Sequence, residues 1–339
     1  MSGVSGSEIR RLSDVLTVVL VSSPCSSHPE TTLIEKAILS LSKFSNLDQC
    51  PIVIVLDGYI IRDSARTKKG QITEEMSTQY DAYHQRLSAL YGDNDQIRIR
   101  RSEKHLGFAL AVKFGLSFCT TTYGMIAQHD RVFLNSFHRL QDLIDVMENN
   151  DHIRYIGFPT VANRTHDSVL NSRYRVSYLD SSDVKISLGQ NLYLQPLIFW
   201  FDSQHLCHIQ RYLQIYKPYL TLPEEMKDWL GSKAVNDMVL RVGDFIEDRF
   251  GQSQRNCLTA RGIRCLLHSS SFFNIRTSER FQTTRLFVTA IVIEVRFDPF
   301  NYAGKSDAFM LEAFRWFGTY LAWVPDDKAK SSRDGRGAY

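Results

Sequence analysis

The stretch Gly124-Met-Ile-Ala-Gln-His-Asp-Arg-Val-Phe-Leu134 begins as a short apolar run and passes, with no turn residue between, into Gln128, His129 and Asp130. A carboxylate at the end of a buried strand loses hydration unless a cation or a hydrogen-bond network meets it. In open α/β sheets the carboxyl edge of the strands is also where ligands bind. Asp130 is therefore expected to hold a divalent cation, which in turn holds a diphosphate; a structural ion pair with Arg131 is the alternative. His129 is read as packing or orienting its neighbours rather than as a metal ligand.

Three further places carry ionisable groups at the ends of elements. Asp57 closes the apolar run Pro51-Ile-Val-Ile-Val-Leu56, and Asp-Gly there is also what a plain strand-ending turn requires. Glu247 and Asp248 are adjacent carboxylates at an expected helix start, able to accept a proton or simply to complement the helix dipole. His268 ends an expected strand, either as a ligand or as a core histidine with its hydrogen bonds met. Carboxylates and a histidine on one rim of a sheet can meet in space although far apart in sequence.

The elements that must position these groups are legible from periodicity. Leu16–Val21 and 51–56 are continuous apolar runs separated by a helical pattern, the signature of a parallel sheet covered on both faces. That helix is expected to start at His28-Pro29-Glu30, with Leu33, Ala37, Leu41 and Phe44 on its buried face. A helix near 80–91, a strand at 96–100 and a helix at 105–116 with Leu106, Leu110 and Phe114 on one face follow. Ser136 is expected to cap a helix carrying Leu140, Leu143, Ile144 and Met147, and 155–158 reads as a strand. In the second half, 192–201 reads as a strand and Asp202-Ser203 as the cap of a helix through Leu206, Ile209, Leu213 and Tyr216. A helix from Ser232 and a last strand at 320–324 complete the reading.

The sequence has 339 residues, 43% of them hydrophobic, and a formal net charge of +3. So small a charge, spread along the chain, argues against a nucleic-acid or membrane-surface partner. No apolar run is long enough for a membrane span. Six cysteines form no CxxC pair, and Cys119, Cys257 and Cys265 lie in apolar runs as reduced core thiols do. A cytoplasmic protein is expected.

In order and spacing, residues 15–270 resemble the GT-A glycosyltransferases, particularly the family 2-like branch. Val55-Leu56-Asp57-Gly58 is similar to the family's segment whose Asp contacts the nucleobase. His105-Leu-Gly-Phe-Ala-Leu-Ala-Val-Lys113 is similar to its Gly-rich helix start with a basic residue, and Gln128-His129-Asp130 falls where it has the metal motif Asp-x-Asp. Ile246-Glu247-Asp248 looks like the catalytic x-Glu-Asp, His268 like the late metal-binding histidine, and Gly189 like the loop before the catalytic acids. Gln128 departs from the pattern: it keeps a hydrogen-bonding role toward ribose and loses the charge. The resemblance implies a GT-A-like, Rossmann-type, mostly parallel sheet flanked by helices, with a mixed C-terminal acceptor part.

It further implies metal-dependent transfer of a hexose from a nucleotide-sugar, UDP being the usual donor, to an acceptor hydroxyl, with inversion. Mn²⁺ or Mg²⁺, held by Asp130 and His268, would stabilise the leaving diphosphate. Asp248, or else Glu247, would take the acceptor proton. Ser22 and Pro24 would line the nucleotide pocket through backbone groups, and Lys113 would meet phosphate, unless it is simply a solvated helix charge. The expected organisation is a flexible terminus at 1–14, a nucleotide-sugar-binding half at 15–160, an acceptor and catalytic half of the same domain at 161–325, and a disordered tail at 326–339. Two rivals remain. A sugar-nucleotide nucleotidyltransferase needs a Gly-rich basic loop after the first strand, and Ser22-Ser-Pro-Cys-Ser-Ser27 has neither Gly nor Lys. A non-catalytic nucleotide-sugar-binding module is favoured by Gln128 and opposed by Glu247 and Asp248.

Overall fold

Leu16–Ser22 (β1) and Ile52–Leu56 (β2) are buried along their whole length and pair in parallel in the computed structural model of the chain. Residues 10–151, 153–160, 186–189, 192–197, 200–221, 231–253 and 319–323, with a few isolated residues between them, are described by the structure. Ile60–Ile61 (β3) and Gln71–Ile72 (β4) form a small separate ladder. Ile97–Arg101 (β5), Tyr123–Gln128 (β6), Tyr155–Gly157 (β7), Ile186–Ser187 (β8), Tyr193–Pro196 (β9), His205–His208 (β10) and Thr319–Trp323 (β11) join β1 and β2 in one sheet, in the order β5-β2-β1-β6-β10-β7-β11-β9-β8. Pairing is parallel from β5 through β6, and β10 and β9 run against the rest. The architecture is α/β, with the mixed part of the sheet supplied by the second half of the chain.

Alternation along β1 divides the core. Val18 and Leu20 face a layer made by Thr32–Ser40 (α2), Glu74–Tyr91 (α3) and Leu140–Asn149 (α5); Val19 and Val21 face Phe108–Leu116 (α4) and residues of the second half. A one-residue slip of β1 would exchange these two sets, so burial on both faces fixes the register. Gly115 brings α4 against the sheet: a Cβ there would sit 2.5 Å from Val19 Cγ1 and 2.7 Å from Val55 Cγ2. With α2 and α3 on one face and α4 on the other, the chain moves outward from β1 to β2 and β5, then returns to place β6 on the opposite side of β1. That reversal opens a crevice at the carboxyl ends of β1 and β6.

Several expectations need correction. α2 begins at Thr32, not at His28-Pro29, and buries Ile34, Ala37 and, just beyond its end, Leu41; Leu33 stays 37% exposed. α3 starts at Glu74 because Thr73 caps it, its side chain accepting the Met76 N–H at 3.3 Å. On α4 the buried residues are Phe108, Ala109, Ala111, Val112, Gly115 and Leu116, while Leu106, Leu110 and Phe114 are half-buried. Arg139, not Ser136, precedes the first turn of α5, whose apolar face is as expected. The helix expected from Asp202 does not begin there: 205–208 is a strand paired on both sides, with β6 and with β7, and the chain turns helical only at Ile209–Tyr212. Leu12–Val15 forms a helical turn (α1) whose Leu12 and Val15 join the core. No helix among the described residues is long and apolar enough to cross a membrane.

Candidate functional site at the carboxyl rim of the sheet

β1, β2 and β6 all end at one rim, and the first residues beyond them extend the ladders: Asp57 N–H donates to Ser22 O at 2.8 Å and His129 N–H to Val21 O at 3.0 Å. Asp57, Ser22 and the segment 128–130 are thereby fixed side by side. Ser22 is fully buried, its hydroxyl 3.3 Å from Tyr83 Oη, and its carbonyl also accepts from Tyr80 Oη at 3.4 Å. Pro24 is buried beside it.

At the β1/β6 crevice the loop after β1 returns three polar groups toward the end of β6. Cys25 Sγ lies 3.4 Å from His28 Nε2, 3.7 Å from His129 Nε2 and 3.1 Å from Ser27 Oγ. His28 Nδ1 accepts the Cys25 backbone N–H at 3.2 Å. Its ring stacks on Tyr83 with centroids 4.0 Å apart and 23° between planes. Both histidines are buried and Cys25 is half-buried. Burial alone would raise the Cys25 thiol, but hydrogen bonds from His129, His28 and Ser27 outweigh it and bring the pKa down to about 5. By contrast, burial pushes Cys50 up to about 12 and Cys119 up to about 11. A thiol whose pKa is lowered among hydrogen-bond partners meets the condition for nucleophilicity or metal ligation.

Asp57 is 2% exposed and engaged by its own chain. Its carboxylate accepts the N–H groups of Leu106 at 2.7 Å and Gly107 at 3.0 Å, immediately before α4. The carboxylate thereby satisfies the N–H of Gly107, the N-cap of α4, together with that of the residue before it, and complements the helix dipole. His105 Nδ1 stands 3.0 Å from Asp57 Oδ2, a charge contact off the hydrogen-bond line. The Asp57 partner raises the His105 pKa against an opposing effect of burial. Gly70 makes room for that ring, since at its φ of +64° a Cβ would run into the imidazole.

The second half reaches the rim through Asp202. Because β10 is antiparallel to β6, its amino end lies where β6 finishes. The Gln128 side-chain amide donates to the Asp202 carbonyl, and the Glu247 N–H donates to Asp202 Oδ2 at 3.0 Å. Asp202 Oδ1 is buried and has no hydrogen-bond partner of good geometry among the described residues. Burial raises the Asp202 carboxyl to about 8, and the negative charges of Glu247 and Asp248 push the same way; the Glu247 N–H opposes them. Glu247–Gly251 is a single π turn, a geometry frequent at functional sites. Aromatic packing holds it: Phe250 meets Trp200 edge-on at 5.6 Å, and Trp200 stacks on Tyr155 at 4.5 Å. Glu247 is half-buried and Asp248 exposed.

Of the residues singled out from sequence, the structure gathers Ser22, Pro24, Asp57, Gln128 and Asp130 on one rim and ties Glu247-Asp248 to Gln128 through Asp202. Asp130 is exposed and has no ion pair or hydrogen bond with any described residue, Arg131 included. Lys113 does not join them: it lies in the last turn of α4, about 8 Å down the axis from the helix start, with Nζ 5.4 Å from the Tyr216 ring centroid. His268 lies outside the described residues. Trp200 is wholly buried. Asp130 is the one carboxylate in the segment 128–130, and it is exposed. Sequence reasoning missed Asp202, taken for a helix cap, and Cys25-His28, whose C-x-x-H spacing was a usable signal. His129, expected to pack or to orient its neighbours, has Nε2 3.7 Å from Cys25 Sγ.

No family model matches the sequence, and no curated protein matches it. Similar solved structures include S. aureus TarS 1–349 in complex with UDP-GlcNAc, with a TM-score of 0.33 and 12% identity over 59% of this chain and 46% of that one. GalNAc-T7 with UDP, GalNAc and Mn²⁺ gives a TM-score of 0.37 and 8% identity over 60% and 36%. The mannosyltransferase PcManGT from Pyrobaculum calidifontis, in complex with GDP-Man and Mn²⁺, gives 0.37 and 10% over 81% and 84%. The matched region spans less than half of the first two chains. Overlaps this loose carry no argument about chemistry.

Proposed function

We infer that the chain transfers a sugar from a nucleotide-sugar to an acceptor hydroxyl, with the donor along the carboxyl rim at the β1/β6 reversal. The observation that carries this reading is the Asp202 bridge. Its carbonyl holds the Gln128 amide at the end of β6, and its carboxylate holds the Glu247 N–H. A solvent-open carboxylate, Asp248, is thereby fastened beside a crevice of the kind that takes nucleotides. Residues 15–160 would serve the donor and 161–325 the acceptor, in the cytoplasm.

Asp248, or else Glu247, accepts the proton of the acceptor hydroxyl as its oxygen attacks the anomeric carbon from the side opposite the diphosphate, which inverts configuration. Asp202, held neutral near pH 7 by burial, spares that base a third negative charge at close range. Backbone groups around Ser22, Pro24 and Asp57 border the nucleotide, the buried Asp57 carboxylate holding the Leu106-Gly107 turn in place beside them. Mn²⁺ or Mg²⁺, carried in with the diphosphate and touched by Asp130, would supply charge stabilisation to the leaving group. UDP and a hexose are the donor that the family resemblance favours.

Calorimetry with UDP in the presence and absence of Mn²⁺, followed by hydrolysis of UDP-sugars by wild type and Asp248→Asn, tests the reading. UDP should bind both proteins alike, and hydrolysis should fall about 10²–10⁴-fold in the variant. Absence of UDP and GDP binding would overturn it. Binding without turnover on any acceptor would instead identify a nucleotide-sugar-binding module.

A further inference from the structure

We propose that Cys25, His28 and His129 are the three protein ligands of a zinc-class transition-metal ion, its fourth position left to an exogenous ligand at the β1/β6 crevice. The site is distinct from any hard cation that accompanies a nucleotide, and it stands or falls independently of glycosyl transfer.

Both edges from the sulfur already have the spacing that such an ion requires. Zn–S near 2.3 Å and Zn–N near 2.0–2.1 Å in a tetrahedron set S···N edges of about 3.6 Å. The two observed edges, 3.4 Å to His28 Nε2 and 3.7 Å to His129 Nε2, lie on either side of that value. All three donor atoms fall within 4.8 Å of one another, and a bound ion would hold the two nitrogens about 3.3 Å apart.

The scaffold around these atoms is fixed. Cys25 and His28 share one turn of the loop after β1, and His129 is the first residue past the neighbouring β6, its N–H bonded to Val21 O. The His28 ring is held by Tyr83 on one side, with Tyr80 at 5.0 Å. Two imidazoles and a thiolate are a borderline-soft set, which selects zinc-like ions over Mg²⁺ and Mn²⁺.

The same atoms also form a hydrogen-bonded trio without metal, and the two states differ by definite proton movements. In the trio His28 Nδ1 accepts the Cys25 N–H, so the ring proton sits on Nε2 and points at Sγ. Binding through Nε2 moves that proton to Nδ1 and breaks the 3.2 Å contact from the Cys25 N–H. Any thiol proton on Cys25 leaves to solvent as the S–metal bond forms. The site then carries a net charge of about +1, two positive from the ion and one negative from sulfur, facing the crevice.

Co²⁺ titrated into the chelator-stripped full chain is the test, because thiolate-ligated tetrahedral Co²⁺ has a near-ultraviolet charge-transfer band and strong visible bands. One equivalent should bind, Zn²⁺ should displace it and Mn²⁺ should not. Cys25→Ser should abolish the charge-transfer band, His129→Gln should weaken binding at least about tenfold, and Cys119→Ser should leave it unchanged. Wild type without the band, or Cys25→Ser that retains it, overturns the proposal. Circular dichroism checks that each variant is folded, and Cys25→Ala replaces any that is not. UDP calorimetry on the wild-type chain reads the donor site separately: UDP binding without the Co²⁺ band means the metal proposal alone has failed, and the band without UDP binding means the transfer reading alone has failed.

Discussion

Asp202→Asn isolates a buried carboxyl whose protonation is written into the stability of the fold. Burial, reinforced by Glu247 and Asp248, lifts its pKa from an ordinary 3.8 to about 8. The folded chain therefore keeps a proton that the unfolded chain releases. A pKa raised by folding gives stability that is full below the unfolded value and is lost as pH rises, until the folded group also ionises. The loss should run from about pH 4 to about pH 8 and then level off. At about 1.4 kcal/mol per pH unit, the upper bound is about 6 kcal/mol, reduced wherever water or local relaxation softens the burial. Asparagine has nothing to titrate, yet its Oδ1 can still accept the Glu247 N–H that now meets Asp202 Oδ2. Urea midpoints of wild type and variant, taken across that range with m-values checked for constancy, read the effect directly, because every other titrating group is common to both proteins. The variant should gain on wild type by several kcal/mol between the acid and alkaline ends. Stability curves that stay parallel to within about 1 kcal/mol would refute a neutral, buried Asp202 and with it the account of why Glu247 and Asp248 tolerate a third carboxyl beside them.

Asp57→Ala removes the acceptor of two N–H groups at the start of α4 and strands His105, and should destabilise by about 2–4 kcal/mol in thermal or urea melts. Because Asp57 raises the His105 pKa, that histidine's contribution is present below pH 6.5 and is lost as pH climbs through its folded value. The alkaline slope should vanish in the variant, and its persistence would mean that the contact is inert. Gly115→Ala should lose about 1–3 kcal/mol by overpacking α4 on Val19 and Val55; an unchanged urea midpoint would show that the helix can lift without penalty. Gly70→Ala should also destabilise, since φ of +64° and the His105 ring both oppose a Cβ, and a neutral melt would argue that the loop rearranges.

What the sequence settled by itself was the set of buried strands and the rim they share. Leu16–Ser22, Ile52–Leu56 and Tyr123–Gln128 are apolar enough to bury both faces, and that alone forces a covered parallel sheet. It follows that Asp57 and Gln128-His129-Asp130 lie on one rim of the sheet, where strand order then sets them on either side of β1. Their partners were another matter, because a partner is fixed by which strands become neighbours. Asp57 meets Leu106 and Gly107 only once α4 docks, and Gly115 rather than the Leu106, Leu110 and Phe114 stripe decides that docking. Leu206 keeps helical spacing with Ile209, Leu213 and Tyr216, yet two open ladder edges on β6 and β7 outweigh local periodicity and draw residues 205–208 into a strand. That insertion brings Asp202 to the rim, buries it and raises its pKa. Cys25, His28 and His129 likewise become a cluster only because the chain reverses across β1, setting the loop after one strand against the end of another 104 positions away.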